Sequence, residues 1–414
     1  MWTNLFREFF VDLNRQKLRS FLTLMAIAWG TLSVILLLAF GRGLGTGMMK
    51  GLLGAGSQII MVYGGQTTMP YEGLPVGRTI RFTEEDVDLI RQTIPQLEFA
   101  SPQYGRGGNR IERGDKVTTT YMEGVDPAFE IMRTVYPAAG GRFINVNDVE
   151  QQRKVLFLGD EIAEEMFGDE DPIGGEVKVN GVPFTVIGVM KPKMQTSMNQ
   201  GPDARRAIIP YTTVRNQYGH RYVGSMLLRP SDPQFQPEVL EQLRTMMSAR
   251  HKFDPEDNQA MPMWDFIEQE EMNRKVAFGL EIFLFTVGFF TLMIAGVGVA
   301  NIMFVVVKER TKEIGLKKAI GARKVHIITQ FLFEAIFISV LGGLAGFAVS
   351  SAVVYGVLAL EIEGMMGEFL GQPEISMAAV VVTGGVLILI GVLSGIFPAI
   401  KAARLDPVDS LRYE

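Results

Sequence analysis

Four stretches of this chain stay apolar for longer than a bilayer is thick. Ser20–Gly41, Ile282–Val307 and Ile375–Ile400 carry no charge at all, and the run from Ile327 to Leu360 holds a single one, Glu334. A helix crosses the hydrocarbon core in about 20 residues. Runs of this length exceed what a buried helix of a soluble domain needs, so they read as four transmembrane helices at 20–41, 282–307, 327–360 and 375–400. The composition agrees, with 47% apolar residues in a chain of 414.

Basic residues in the short loops set the expected orientation. Arg7, Arg15, Lys17 and Arg19 precede the first span, and Lys401, Arg404 and Arg412 follow the fourth. Between spans two and three, Lys308 to Lys324 carries seven Lys/Arg and two Glu. Between spans three and four, 361–374 holds four Glu and no Lys or Arg. Both termini and the segment 308–325 are therefore expected in the cytoplasm. The short loop 361–374 and the large segment 42–275 are expected outside. Burying the basic segment would cost about 2.5–3.5 kcal/mol per Lys or Arg. The first span is too long for a signal-peptide core and no small-residue cleavage site follows it, so no cleavable signal is expected. In residues 1–19, Trp2, Leu5, Phe6, Phe9, Phe10 and Leu13 recur at helical spacing. That pattern predicts an amphipathic helix on the inner leaflet, or else one packed on protein. The tail 401–414 is expected to be cytoplasmic.

The large segment reads as mixed α/β. Helical stalks are expected at 42–56 and 264–281, extending spans one and two outward. "TEEDVDLIRQTI" opens with Thr83 as a cap and Asp86 three residues on, a helix-start pattern. "NRIERGDKVTTTYMEGV" predicts a hairpin turning at Gly114, and "GEVKVNGVPFTVIGVM" another at Asn180-Gly181. Gly140–Gly141 and "HRYVG" read as internal boundaries. They divide the domain into an outer lobe, 140–222, and a base lobe from 57–139 and 223–265. The fold class is thus an α-helical membrane protein with four transmembrane helices plus a large mixed α/β extracytoplasmic domain of two lobes.

No engine for chemistry stands out. There is no cysteine, and the three histidines, His220, His251 and His326, are scattered, so no metal site is expected. Neither G-x-S-x-G nor H-E-x-x-H occurs, and Gly-Lys never occurs, which excludes a P-loop within these residues. The net charge of −5 does not suggest a nucleic-acid partner. No catalytic residue and no cofactor are expected in this chain.

The segment "KERTKEIGLKKAIGARK" is more than a basic anchor. Ile314, Leu316, Ala319 and Ile320 offer a small apolar contact, with Glu309, Glu313, Lys317 and Lys318 around it. Glu313 and Lys317 stand four apart in the favourable order, worth about 0.2–0.5 kcal/mol. Gly315 and Gly321 permit close approach and a sharp exit. A loop held only by anionic lipid would explain the charge but not these residues. Glu334 lies within the third span, where a charge is expensive and usually paired or functional. It reads either as a link to the basic segment or the N-terminal helix, or as an interfacial carboxylate reaching water. Gly342 with Gly346, and Gly391 with Gly395, have the spacing that lets membrane helices approach closely.

That segment, followed by "FLFEAIFISVLGGLAG", resembles the signature region of FtsX-like permeases, the MacB/LolC type of ABC transporter. "KLRSFLTLMAIAWG", "VLFLGDEIAEEMFGDEDPIGGEVKVNGVPFTVIGVM" and "GIFPAIKAARLDPVDSLRYE" resemble the same family's first span, external core domain and last span. The resemblance covers nearly the whole chain. It implies a bacterial inner-membrane permease whose segment 308–325 is a coupling helix docked on a cytosolic ABC ATPase, present in two copies. ATP and Mg would then be bound by that ATPase and not by this chain. A second permease chain, identical or paralogous, is implied beside the lipid bilayer, and a periplasmic adaptor with an outer-membrane channel is left open. MacB itself carries a fused ATPase before its first span. This sequence begins shortly before its own, so a separate ATPase subunit is expected. Cargo would be moved on the outer side by transmitted motion. The alternative is an FtsX-like signalling subunit that activates an extracytoplasmic partner such as a cell-wall hydrolase. A membrane enzyme with an external active site is a third reading, one for which the sequence shows no constellation.

Overall fold

The computed structural model describes residues 17–195, 201–360 and 371–406. The expected amphipathic helix up to residue 16, most of the acidic loop (361–370) and the tail from 407 lie outside the described residues. The chain forms two compact units, Met48–Arg274 and Met1–Gly47 with Lys275–Glu414.

The elements follow in chain order. Helix α1 (Lys17–Ala55) leads to strand β1 (Ile60–Tyr63), helix α2 (Glu84–Thr93) and the long strands β2 (Leu97–Arg113) and β3 (Lys116–Val125). Short helices α3 (Phe129–Met132) and α4 (Val146–Glu150) precede β4 (Val155–Leu158), α5 (Asp160–Phe167), β5 (Glu176–Val179) and β6 (Val182–Val189). Then come β7 (Arg206–Pro210), α6 (Tyr211–Tyr218), β8 (Ser225–Pro230), α7 (Gln236–His251) and β9 (Met263–Asp265). Four helices close the chain: α8 (Phe266–Glu309), α9 (Thr311–Ala319), α10 (Lys324–Ala359) and α11 (Met377–Arg404).

In the α/β unit, local sequence signals place the turns. Asp86 accepts from the Thr83 backbone N–H at 2.8 Å, which forms the capping box that starts α2. Asn180 and Gly181 both take positive φ, 48° and 81°, as the tight β5–β6 hairpin requires. Strand β2 joins two sheets. Its first half pairs with β8, which continues through β1 to β9. Its second half enters a ring in the order β2–β3–β7–β4–β6–β5 and back to β2. The ring is a closed six-stranded barrel. The alternation of strand side chains divides its residues between two cores. Leu156, Leu158, Ala207 and Ile209 join one that includes Ile111, Met122, Val179 and Phe184. Phe157 and Ile208, one residue out of step, join a second with Leu52, Ile59, Phe129, Phe143 and Phe266. The hairpin β2–β3 precedes Gly140 yet bonds to β7 and β5 beyond it. Strand pairing therefore crosses the expected lobe boundary at that glycine.

Among the described residues, four helices are long and apolar enough to cross a membrane: Ser20–Ala55, Phe266–Glu309, Lys324–Ala359 and Met377–Arg404. Glycines set their closest approaches. A Cβ at Gly342 would meet Ile27 Cβ at 2.8 Å, and one at Gly346 would meet Thr31 Cβ at 2.7 Å, so these two face α1. A Cβ at Gly391 would meet the Ile336 backbone at 3.1 Å, and one at Gly395 would meet Ala335 Cβ at 2.6 Å, so these two seat α11 on α10. Small residues bring apolar helices together where no hydrophobic drive between them exists in lipid. Their hydroxyls bond back within the helix, Ser339 to the Ala335 carbonyl at 2.9 Å and Ser350 to that of Gly346 at 2.7 Å.

Candidate functional site

The basic segment between α8 and α10 is where the candidate residues gather. Helix α8 ends at Glu309 and α9 begins at Thr311, so Arg310 is the joint. The Thr311 hydroxyl donates to the Lys308 carbonyl at 2.7 Å and tightens that joint. Along α9, Ile314 is buried and shares a core with Val307, Ile327, Phe331, Ala399 and Ala403. Gly315 is buried beside it. Leu316 is 57% exposed and Ile320 80% exposed, and Ala319 is exposed between them. The sequence reading grouped Ile314 with Leu316, Ala319 and Ile320 as one apolar contact. The structure divides the group, because Ile314 lies on the opposite side of the helix and is consumed by packing within the chain.

The end of α9 is a Schellman turn. Gly321 takes φ +98°, its N–H donates to the Lys318 carbonyl, and the Ala322 N–H donates to that of Lys317. Glycine is the residue that adopts this backbone without strain. Gly321 thus supplies the sharp exit into α10.

Polar side chains tie α9 to its neighbours. Glu313 and Lys317 pair at 3.0 Å within the helix, and Lys317 also reaches Gln330 Oε1 on α10 at 3.4 Å. The Lys318 ammonium donates to the Ala403 carbonyl at 3.1 Å and to that of Leu405, at the C-terminal end of α11. A cation there meets the negative end of the helix dipole and carbonyls without a helical partner. Glu334 is buried in α10, and the Arg310 guanidinium donates to its two oxygens at 3.1 and 3.3 Å. Among the described residues, Glu334 thus pairs with the basic segment. Arg310 was not among the sequence candidates. Its position, three residues past the end of the second span at Val307 and near the only charge of the third, was the available signal.

A second charged cluster, in the α/β unit, was not anticipated. Asp203 is buried and binds Arg133 Nη2 through both oxygens at 3.0 and 3.2 Å, Lys193 Nζ at 2.8 Å and Arg206 Nε at 3.2 Å. Arg206 also pairs with Glu123 at 2.7 Å, and Lys193 donates to the Arg133 carbonyl at 2.7 Å. Burial alone would raise the Asp203 carboxyl, but Arg133, Lys193 and Arg206 together outweigh it and hold it well below the usual carboxylate range. Burial pushes the Lys193 ammonium down despite Asp203 beside it. These charges come from β3, from the segments after α3 and β6, and from Asp203 with Arg206 at the start of β7, so beyond that last pair no local pattern announces them. With its charges balanced by close ion pairs, the cluster has the chemistry of a structural joint.

Comparison with known proteins places these features in a family. Residues 20–246 match the MacB-like periplasmic core domain and residues 285–407 the FtsX-like permease C-terminal region. A macrolide export ATP-binding/permease protein MacB from Bdellovibrio bacteriovorus is 33% identical over 98% of this chain and 61% of its own length. The protein of the same name from Chlorobaculum tepidum is 32% identical over 98% of this chain and 60% of its own. The chain thus spans about three fifths of the length of these relatives. The crystal structure of the periplasmic region of MacB from Actinobacillus actinomycetemcomitans aligns with a TM-score of 0.43 and 19% identity, covering 54% of this chain and 96% of that one.

Proposed function

The chain belongs to the MacB-like family of ABC transporter permeases, and from that premise we propose that α9 is its docking helix for a cytosolic ATPase. The observation that carries the reading is the division of α9 into two faces. Ile314, Lys318 and the Arg310 joint hold it to the membrane helices, while Leu316, Ala319 and Ile320 stand exposed beside Lys312 and Glu313. An anchored helix with an unburied apolar face and a charged rim is suited to a groove on another protein.

ATP and Mg are bound by that ATPase, supplied from outside these residues, which hold no P-loop. Two ATPases serve two permease chains, and the movement they drive reaches the α/β unit on the outer side, where cargo is handled. Both termini lie in the cytoplasm and the α/β unit in the periplasm. The names of the relatives, which couple export to ATP binding, support this assignment.

The test is capture of the ATPase from solubilised native membranes by the tagged full chain. Leu316→Asp with Ile320→Asp is expected to lower the captured ATPase at least tenfold, with the chain still inserted. Undiminished capture overturns α9 as the docking helix. An extracytoplasmic cell-wall hydrolase as the main companion would instead favour the signalling branch.

A further inference from the structure

We propose that Arg310, Glu334 and Lys318 are positioning residues that clamp α9 to α10 and α11, so that a push on α9 displaces those two spans as one body. The proposal rests on the reading above for the source of the push. Its own content is the rigidity of the joint.

A loop between two membrane helices would ordinarily absorb displacement by bending. Here the bend point is Arg310, where α8 stops and α9 starts. That residue is fastened to Glu334 by two hydrogen bonds from a single guanidinium nitrogen. Both side chains are largely buried, at 15% and 10% exposure, so water competes little for either. A charge-assisted pair in that setting is among the stronger polar fastenings a protein makes. At the other end of α9, Lys318 grips the last carbonyls of α11. Between the two fastenings Ile314 is packed in the apolar core. Helix α9 is therefore held at its start, middle and end, on two different spans.

The placement of Glu334 adds the decisive detail. Its neighbour Ala335 is the residue against which Gly395 seats α11. The ion pair enters α10 beside the close contact between the two spans. Force arriving through Arg310 is delivered where α10 and α11 already move together.

The chain has no cysteine, so spin labels can be added without removing anything. Lys312→Cys on α9 and Arg404→Cys on α11 are both exposed positions. The full-length labelled chain, in phosphatidylethanolamine–phosphatidylglycerol vesicles, is expected to give one narrow distance distribution by pulsed electron resonance. Glu334→Gln and, independently, Lys318→Met are each expected to widen it at least twofold. The charge swap Arg310→Glu with Glu334→Arg is expected to restore the narrow distribution, which a general loss of packing would not allow. Wild-type width in both single variants overturns the clamp, as does a swap no narrower than Glu334→Gln. ATPase capture by the unlabelled chain is scored separately. Its failure would remove the proposed source of the push, while the label widths alone decide the joint.

Discussion

Asp203 shows how much one buried side chain can hold. Three cations converge on it from β7, from the segment after α3 and from the segment after β6. Asp203→Asn keeps the shape and removes the charge, leaving those cations short of their anion. Breaking a buried pair in this way costs about 3–5 kcal/mol, a large part of the 5–15 kcal/mol typical of a whole domain. Thermal melting of the full chain is expected to show a clear drop for this variant. The same residue sets a pH dependence. Its folded-state pKa is depressed, so its contribution is complete above the unfolded value near 3.9. That contribution is lost as pH falls through the lower folded value. Stability measured between pH 5 and pH 2 should therefore fall less steeply in Asp203→Asn than in the wild type. Asp86 points the same way at lesser scale. Burial would raise it, but bonds from His251, the Thr83 N–H and Arg250 bring it down. Asp86→Asn is expected to cost about 1 kcal/mol through the weakened cap.

Among the elements, the membrane helices make the sharpest contrast. Gly346 and Gly356 both lie on α10. A Cβ at Gly346 would press on Thr31 Cβ at 2.7 Å and on the Ala28 carbonyl, whereas at Gly356 it meets nothing within 4 Å. Gly346→Ala is expected to destabilise the helix pair by about 1–3 kcal/mol, and Gly356→Ala to be neutral or slightly favourable. Detergent-resistant melting of the two variants side by side checks this, and equal melting would refute the packing role of Gly346. Much at this scale was legible in the sequence. The spans announced themselves through missing charge, the β5–β6 hairpin through Asn180-Gly181, and the start of α2 through Thr83 and Asp86. Each of these is a local signal. The barrel was not legible, because β3 meets β7 across eighty residues of intervening chain and no local pattern encodes a parallel partner. The orientation of Ile314 was also hidden. Whether an apolar residue on a short helix faces its own chain or a stranger depends on neighbours that the helix does not contain.

For the molecule as a whole, the positive-inside pattern makes a prediction with a simple readout. Lys312→Cys is expected to react with a membrane-impermeant thiol reagent only when the cytoplasmic face is accessible. Glu72→Cys, exposed in the α/β unit, should react from the opposite side. Labelling of both positions from one side would overturn the topology. The candidate site itself was half visible at this scale. Charge and glycine content marked the segment 308–325, but the fastenings at Glu334 and at the end of α11 depend on packing between distant spans.

The barrel carries one further implication. A strand at the margin of an open sheet can be peeled away alone, but a ring offers no place to begin unzipping. To release any one of its six strands, two seams must part together. Amide exchange across β3, β4, β6 and β7 should then proceed in concert, at a single slow rate. Such a component yields all at once or not at all.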